Sequence, residues 1–433
     1  MLTAGFSRVD MTPPLGTEIA GYFGKRYAKG VLDPLYINAV ALTSGEETVI
    51  LVSLDVLGIH DTVTDRMRAM ISERTGVPTD HIMVAGLHQH TSFVLHPQRD
   101  CMLESDPTFL DVLHRKVADA AVMAMSDRRE ARLAMGERAL PEQLSFVRRY
   151  FGEDGNVYTN PPADVKVVAH CDEADNAVRL LHLRREGVPD IAILNFSTHP
   201  DVIGGELLSA DWPGLTRTDL EKKVGNIRTL FLTGTQGDSN HINYLVPPAE
   251  RFPHGARYEH AKHMADVISD TAVAILGEAT PSASEELGAA CRVIYSRVNL
   301  DGIEDYEKSC AFMADYAAGK LAGRHITELA YHRRIMGLRT GAAVRPIAVS
   351  AYRIGDAVLA CFGGEAFTAY SRVAKAIAPS SFVLTAVCAN GYAGYFPTAK
   401  AFAEGGYEAT SSPFTPDIEK QITDALADTI SKL

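Results

Sequence analysis

The chain has 433 residues, 46% hydrophobic and 22% charged, with a formal charge of -12. That composition belongs to a globular protein, long enough for one large domain or two ordinary ones. The acidic balance excludes a nucleic-acid surface, which needs a basic patch, and weighs against docking on anionic lipid.

No apolar run reaches the ~18 residues of a membrane-spanning helix, so no stable membrane insertion is expected. The start, Met1 to Phe6, lacks a basic region followed by an apolar core, so no secretion signal is expected. Six cysteines, at 101, 171, 291, 310, 361 and 388, form no C-x-x-C pair. They read as reduced, buried small hydrophobes of a cytoplasmic protein, and any metal site should use N and O ligands.

Strands and helices interleave, which predicts a mixed α/β architecture. Asp10 to Pro14 is a turn-rich entry after a short first strand, and Gly21 to Arg26 is a glycine-hinged loop without phosphate-loop spacing. Thr48 to Leu54 reads as a largely apolar strand that runs straight into Asp55. A helix around Val63 to Arg74 follows, then an apolar strand, Ile82 to Leu87, ending in His88-Gln89-His90. In an extended chain alternate side chains share a face, so both imidazoles would leave that strand together. They could bind a metal, or one could bind and the other move protons; surface or hydrogen-bonded core histidines are the plain alternative.

A helix is predicted over about Pro107 to Met125, and strands at Val165 to Ala169, Val178 to Leu183 and Asp190 to Phe196. The last runs into Ser197-Thr198-His199-Pro200. Asp211 is placed as the N-cap of the next helix, with Pro213 in its first turn. Thr229 to Leu232 is another buried strand, ending in Gly237-Asp238-Ser239-Asn240-His241. Tyr258 to Leu276 reads as a long amphipathic helix. A strand near Cys291 to Val298 and helices around Ile303 to Ala318 and Ile326 to Met336 follow, the helices as a partly separate layer. Ile347 to Arg353 and Ala357 to Cys361 read as a hairpin around Gly355-Asp356, leading to Gly363-Gly364-Glu365. Phe382 to Val387 is the last strand, before Asn390 to Tyr395, and a final helix spans about Pro416 to Ser431. There is no internal repeat and no linker, which predicts one domain over 1–433.

Four buried-looking strands thus end in His88 and His90, His199, Glu365 or Tyr395, and a fifth in Gly237-Asp238. In α/β sheets ligands bind at the carboxyl ends of strands, where loops converge. Two His and one Glu form the ligand set of several catalytic zinc sites. Each piece has a plain reading too. Ser-Thr-His-Pro can be a structural turn, Glu365 a carboxylate at a helix N-terminus, Tyr395 a lid over the core, and Arg148-Arg149 a solvated pair or a partner for surplus acid.

The ordered set Gly5 to Pro14, Gly21-Tyr22, Asp33 to Tyr36, Asp55, His88-x-His90, the His199 loop, Gly237-Asp238, Gly364-Glu365, Tyr392-x-x-Tyr395 and Tyr407-Glu408-Ala409 resembles the catalytic domain of the neutral, non-lysosomal ceramidases over most of the chain. The resemblance implies one zinc held by His88, His199, Glu365 and Tyr395. It implies His90 beside the attacking water, and Arg148 (or Arg149) with Tyr407 on the scissile carbonyl. Asp238, of the Gly-Asp pair, joins this catalytic group. Coordination would lower the pKa of Tyr395 sharply from its usual ~10. The ligand set suits zinc, and iron or manganese would tolerate it.

Three departures limit what the resemblance implies. The family's Gly-Asp-Val-Ser-Pro-Asn reads here Gly237-Asp238-Ser239-Asn240-His241, so the active-site serine falls on Asn240 unless the loop shifts to offer Ser239. The chain stops where ceramidases continue into an immunoglobulin-like domain, and lipid-facing features are absent. The expectation is therefore a neutral-ceramidase-like α/β domain with a mixed sheet core flanked by helices. It would act as a zinc-dependent amidohydrolase on a linear amide, or less readily an ester, of a soluble polar small molecule. True ceramidase activity and a non-catalytic metal- or carbohydrate-binding homologue stand as alternatives, and homo-oligomerisation is left open.

Overall fold

The computed structural model describes residues 1–95, 107–321 and 323–433; Cys101 lies outside them. Two sheets face each other between two helical layers. The larger, nine-stranded sheet contains β1 (Leu2–Asp10), β2 (Tyr36–Ser44), β3 (Glu47–Leu54), β4 (Ile82–Gly86), β5 (Arg129–Ala139), β6 (Ala177–Arg185), β7 (Asp190–Phe196) and β8 (Ile227–Thr233). Their order is β8-β7-β6-β5-β1-β2-β3-β4, with Thr280–Pro281 paired to β5. The smaller sheet runs β9 (Leu287–Arg297), β10 (Val344–Ile354), β11 (Ala357–Phe362), β12 (Phe382–Ala386).

Leu51, Met83, Leu181, Ile193 and Leu232 of the large sheet meet Tyr352, Leu359 and Leu384 of the small one in a shared core. The outer face of β2 and β3 packs on α1 (Asp61–Thr75) and α2 (Pro107–Ser126), through Val63, Met67, Leu113 and Val117. The outer face of β6 to β8 packs on α3 (Asp211–Val224) and α4 (Tyr258–Glu278), through Trp212, Leu220, Met264 and Ile268. After α5 (Tyr306–Ala317) and α6 (Ile326–Thr340), α7 (Ala369–Ile377) and a last long helix (Ile418–Ile430) cover the small sheet. Among the described residues, no helix is long and apolar enough to cross a membrane.

Most of these elements match the expected segments within a few residues. Two of the long strands were not anticipated. β2 is buried on both faces, so it has no polar–apolar alternation to read. β5 carries Arg129, Glu130, Arg132, Glu137 and Arg138 and owes its strand state to full pairing with β6. One cap is corrected: α3 starts at Asp211 itself, with Ala210 at the N-cap. Asp211 takes φ 52°, and its carboxylate accepts the N–H groups of Trp212, Val202 and Ile203.

Within the two main sheets three strand pairs are parallel among the described residues: β3/β4, β7/β8 and β11/β12. The large sheet curls until its two parallel edges meet. Ser53 Oγ donates to Phe231 O (2.8 Å) and Thr233 Oγ1 to Leu87 O (2.8 Å). Asn195 Nδ2 donates to both Leu232 O (2.7 Å) and Thr385 O (2.9 Å), which ties in the small sheet. Asp55, just past β3, makes a buried two-bond pair with Arg217 on α3 (2.9 and 2.7 Å). The carboxyl ends of all three parallel pairs are thereby held together.

Candidate metal centre

His88 leaves the end of β4 by an unexpected route. The strand stops at Gly86, and His88 takes φ 76°. The two histidines therefore do not share the face of an extended strand; a left-handed residue turns the chain and brings their rings to 5.4 Å, edge on. Such a conformation costs about 1–3 kcal/mol. The fully buried Ile82, Met83 and Val84 of β4 contribute roughly 1.5–3 kcal/mol each, so packing outweighs the strain. His88 N–H donates to Val56 O (2.9 Å), and Nδ1 lies 2.7 Å from Leu57 O. A carbonyl only accepts, so Nδ1 carries a proton and Nε2 is the nitrogen turned to the centre.

Nε2 of His88 faces Glu365 Oε2 at 3.1 Å, and the same oxygen lies 3.9 Å from His199 Nε2. His199 Nδ1 is 3.4 Å from Gln236 O, which selects the same tautomer. His90 Nε2 lies 3.1 Å from His199 Nε2, and the ligand nitrogens of His88, His90 and His199 all fall within 4.8 Å of one another. Glu365 Oε1 accepts from Tyr392 OH (2.8 Å), while Oε2 has no hydrogen-bond donor among the described residues. The three histidines and Glu365 are buried.

Buried acceptors that face one another repel unless a proton or a cation lies between them. Burial lowers the pKa of His88, but the Glu365 carboxylate outweighs it and holds the imidazole well above its ordinary range. Burial, and then the His88 charge, keeps His90 far below that range; burial, then Arg148, does the same to His199. Burial raises Glu365, yet His88 and Arg148 outweigh it and keep the carboxylate ionised. His90 and His199 are thus neutral and Glu365 ionised, the forms a divalent metal needs, while the extra proton that His88 holds beside Glu365 is the one a metal would displace; His88, His199 and Glu365 fit zinc as a donor set.

A short parallel pair, Glu365–Ala366 with Tyr395–Phe396, sets Tyr395 level with Glu365. Burial, then Glu365, holds the Tyr395 phenol well above its usual pKa. Arg148 Nη2 donates to Tyr395 OH (2.9 Å) and Gly237 O (3.1 Å), and Nε to Glu408 Oε1 (2.7 Å). Tyr407 stacks edge-on against Tyr395 at 5.7 Å, beneath the same guanidinium. Arg149 turns the other way, to Gly405 O, Ala401 O and Glu404. Of the two arginines, Arg148 is the one at the centre.

Asp238 accepts the N–H (2.7 Å) and hydroxyl (2.8 Å) of Thr368 at the start of α7, and its carbonyl accepts the Arg148 N–H (2.8 Å). Its carboxylate fixes the loop. A Cβ on Gly237 would stand 2.4 Å from Glu365 O, which explains a glycine there. Ser239 and Asn240 pair with Val147 and Phe146, and the Asn240 amide oxygen accepts Ile242 N–H (3.0 Å).

Asp201 was missed by the sequence reading. Its Oδ1 lies 3.6 Å from His90 Nδ1 and accepts from Tyr22 OH (2.6 Å). Arg26 rests 3.9 Å over the Tyr22 ring and donates to His90 O (2.8 Å). The available signal was Asp201 two residues beyond His199, and Tyr22 inside a glycine-hinged loop. The role of Glu408 was equally unread.

Fold and site together define an α/β protein with a buried histidine–carboxylate centre where parallel strands end. Solved structures with this fold are neutral ceramidases. The chain superposes on neutral ceramidase from Pseudomonas aeruginosa with a TM-score of 0.75 at 18% identity, covering 99% of this chain and 74% of that one. A ceramidase complexed with C2 gives 0.76 at 17%, with the same coverage. No protein-family model and no curated protein matches the sequence.

Proposed function

We propose that the chain is a zinc-dependent hydrolase that cleaves a linear amide, less readily an ester, of a soluble polar small molecule. The observation that carries this reading is the meeting of His88, His199 and Glu365, from three separate strand ends, with both imidazole Nε2 atoms turned on one carboxylate oxygen at 3.1 and 3.9 Å. Zinc, when bound there with Tyr395 as a fourth ligand, lowers the pKa of water towards ~7 and polarises a carbonyl.

The chain's own residues supply the rest. His90 takes a proton from the attacking water at Nε2 and returns it to the leaving nitrogen. Asp201, fixed by Tyr22, stands 3.6 Å from Nδ1, where it favours the imidazolium that forms when His90 takes the proton. Arg148, fixed by three hydrogen bonds, keeps a positive charge where the carbonyl oxygen becomes negative. Tyr407 adds a phenol donor beside it. Donors preorganised in a water-poor site contribute most to acyl transfer. Asp238 acts as a positioning residue.

The fold likeness favours a second reading, ceramide as the substrate, and the changed Ser239-Asn240 loop weighs against it. Metal analysis of the purified protein, with hydrolysis of labelled ceramide and of a panel of soluble N-acyl compounds, separates the readings. One zinc per centre and turnover of the soluble panel are expected, with zinc lost in His88→Ala and Glu365→Ala. Stoichiometric zinc retained at this centre in either variant rejects the assignment; zinc without turnover leaves a metal-binding homologue.

A further inference from the structure

A second histidine–carboxylate cluster lies outside the centre described above and shares no residue with it. Glu142 comes from the segment after β5, His263 from α4, and His254 from the loop that precedes α4. Their ligand atoms all lie within 4.8 Å of one another. His263 Nε2 is 2.8 Å from Glu142 Oε1, and the His254 and His263 rings are stacked at 3.7 Å. Beside them is a cavity of about 170 Å³, lined also by His241, His260, Glu250 and Arg251. His241 and His260 are 7% and 5% exposed, and each has an Nδ1 with no hydrogen-bond partner among the described residues. Arg251 is turned onto the Tyr244 ring at 4.3 Å.

We propose that Glu142, His254 and His263 form a second divalent-metal site, of the zinc class, built from two imidazoles and one carboxylate. The inference does not depend on the reading of the first centre. The chemistry of the donor set is that of an N/O zinc site. Zinc ligands at 2.0–2.2 Å stand about 3.3–3.5 Å apart in a tetrahedral shell, so the three groups need shifts well under 2 Å to close on one ion. His254 sits on a loop and can make that shift. The unpartnered His241 and His260 nitrogens on the cavity wall offer an outer shell, or a fourth ligand if a ring turns. The loop carrying His254 follows directly from Ser239–His241, behind the strand that leads to Arg148. An ion there would clamp this loop to α4 and to the Glu142 segment, stiffening the back of the first centre. It is a structural role, with no bond made or broken.

The test strips the protein with a chelator, reloads it with Zn²⁺ alone, removes the excess by gel filtration and counts zinc per chain. Two equivalents are expected in the wild type, and one each in His254→Ala/His263→Ala and in His88→Ala. One equivalent in both the wild type and the double variant overturns the second site, as do two equivalents in the double variant. One in the wild type and none in the double variant upholds this site and sinks the first. Glu142→Gln covers a failure of the double variant to fold, since glutamine keeps the bond to His263. Its second equivalent should bind at least 10–100-fold more weakly, the loss usual even for an outer-shell partner; unchanged affinity overturns the proposal.

Discussion

Glu408 is the anion on which Arg148 depends. It is fully buried; Oε1 accepts from Arg148 Nε at 2.7 Å, Oε2 accepts from Thr159 Oγ1 at 2.7 Å, and Arg149 Nη1 lies 3.7 Å away. Arg149 keeps a second carboxylate, Glu404, at 3.0 Å, whereas Arg148 keeps only neutral acceptors, Gly237 O and Tyr395 OH. Glu408→Ala therefore strands one buried guanidinium, and breaking a buried pair from one side costs about 3–5 kcal/mol. Glu408→Gln retains the shape: its amide oxygen serves Arg148, and Thr159 turns to accept from the amide nitrogen. Only the charge is lost, about 1.5–3 kcal/mol for a charge-assisted bond. With an unfolding entropy near 2 cal/mol/K per residue, each kcal/mol moves the melting midpoint of a 433-residue chain by roughly 1 °C. Scanning calorimetry of zinc-loaded protein should show midpoints about 3–5 °C lower for the alanine and about 2–3 °C lower for the glutamine variant. The alanine variant should also lose about 10²–10³ in kcat, the scale of one oxyanion donor, while its zinc count stays at the wild-type value. A midpoint within 1 °C of wild type together with unchanged kcat in Glu408→Ala would refute the claim that this carboxylate aims Arg148.

His90→Ala should retain zinc and lose roughly 10²–10⁴ in rate, the usual range for a general acid–base; loss of zinc would make His90 a ligand instead. Gly237→Ala puts a Cβ 2.4 Å from the Glu365 carbonyl, where backbone cannot give way, so zinc affinity should fall with Glu365 displaced. Normal zinc binding by that variant would show that the loop is looser than this contact implies. Acid stability draws on several buried neutral imidazoles, among them His241, whose pKa burial, then repulsion from His260, pushes down to about 3. The unfolded imidazole takes up a proton near 6.5 and the folded one does not, so the neutral ring's stability is complete above 6.5 and drains as pH falls towards 3. His241→Gln should shift the acid midpoint downward, read from the fluorescence of Trp212, the single, fully buried tryptophan; identical midpoints would exclude a contribution from His241.

The groups at the strand ends could be read in the sequence because an apolar run that stops at a polar residue is a local signal. Their convergence could not, because it is made by residues that look like blemishes in apolar strands. Ser53, Asn195, Thr233 and Thr385 interrupt β3, β7, β8 and β12, and each is buried. A buried polar group without a partner costs about 1–3 kcal/mol, so each had to bond somewhere. In the fold Ser53, Thr233 and Asn195 donate across strand edges, and the Thr385 hydroxyl accepts the Thr235 N–H at 3.2 Å. The same limit applies to Arg148-Arg149. Neighbours in an extended chain point to opposite sides, so no more than one arginine of the pair could face the centre. Which one is decided by Glu404 and Glu408, some 250 residues away, whose pairing with Arg149 and Arg148 only the folded chain reveals. Asp201 and Tyr22 follow the same logic at His90, joined by one 2.6 Å bond across 179 positions. Each strand end names a chemical group, and each distant partner fixes its direction. The centre therefore stands or falls with the polar bridges as much as with its ligands.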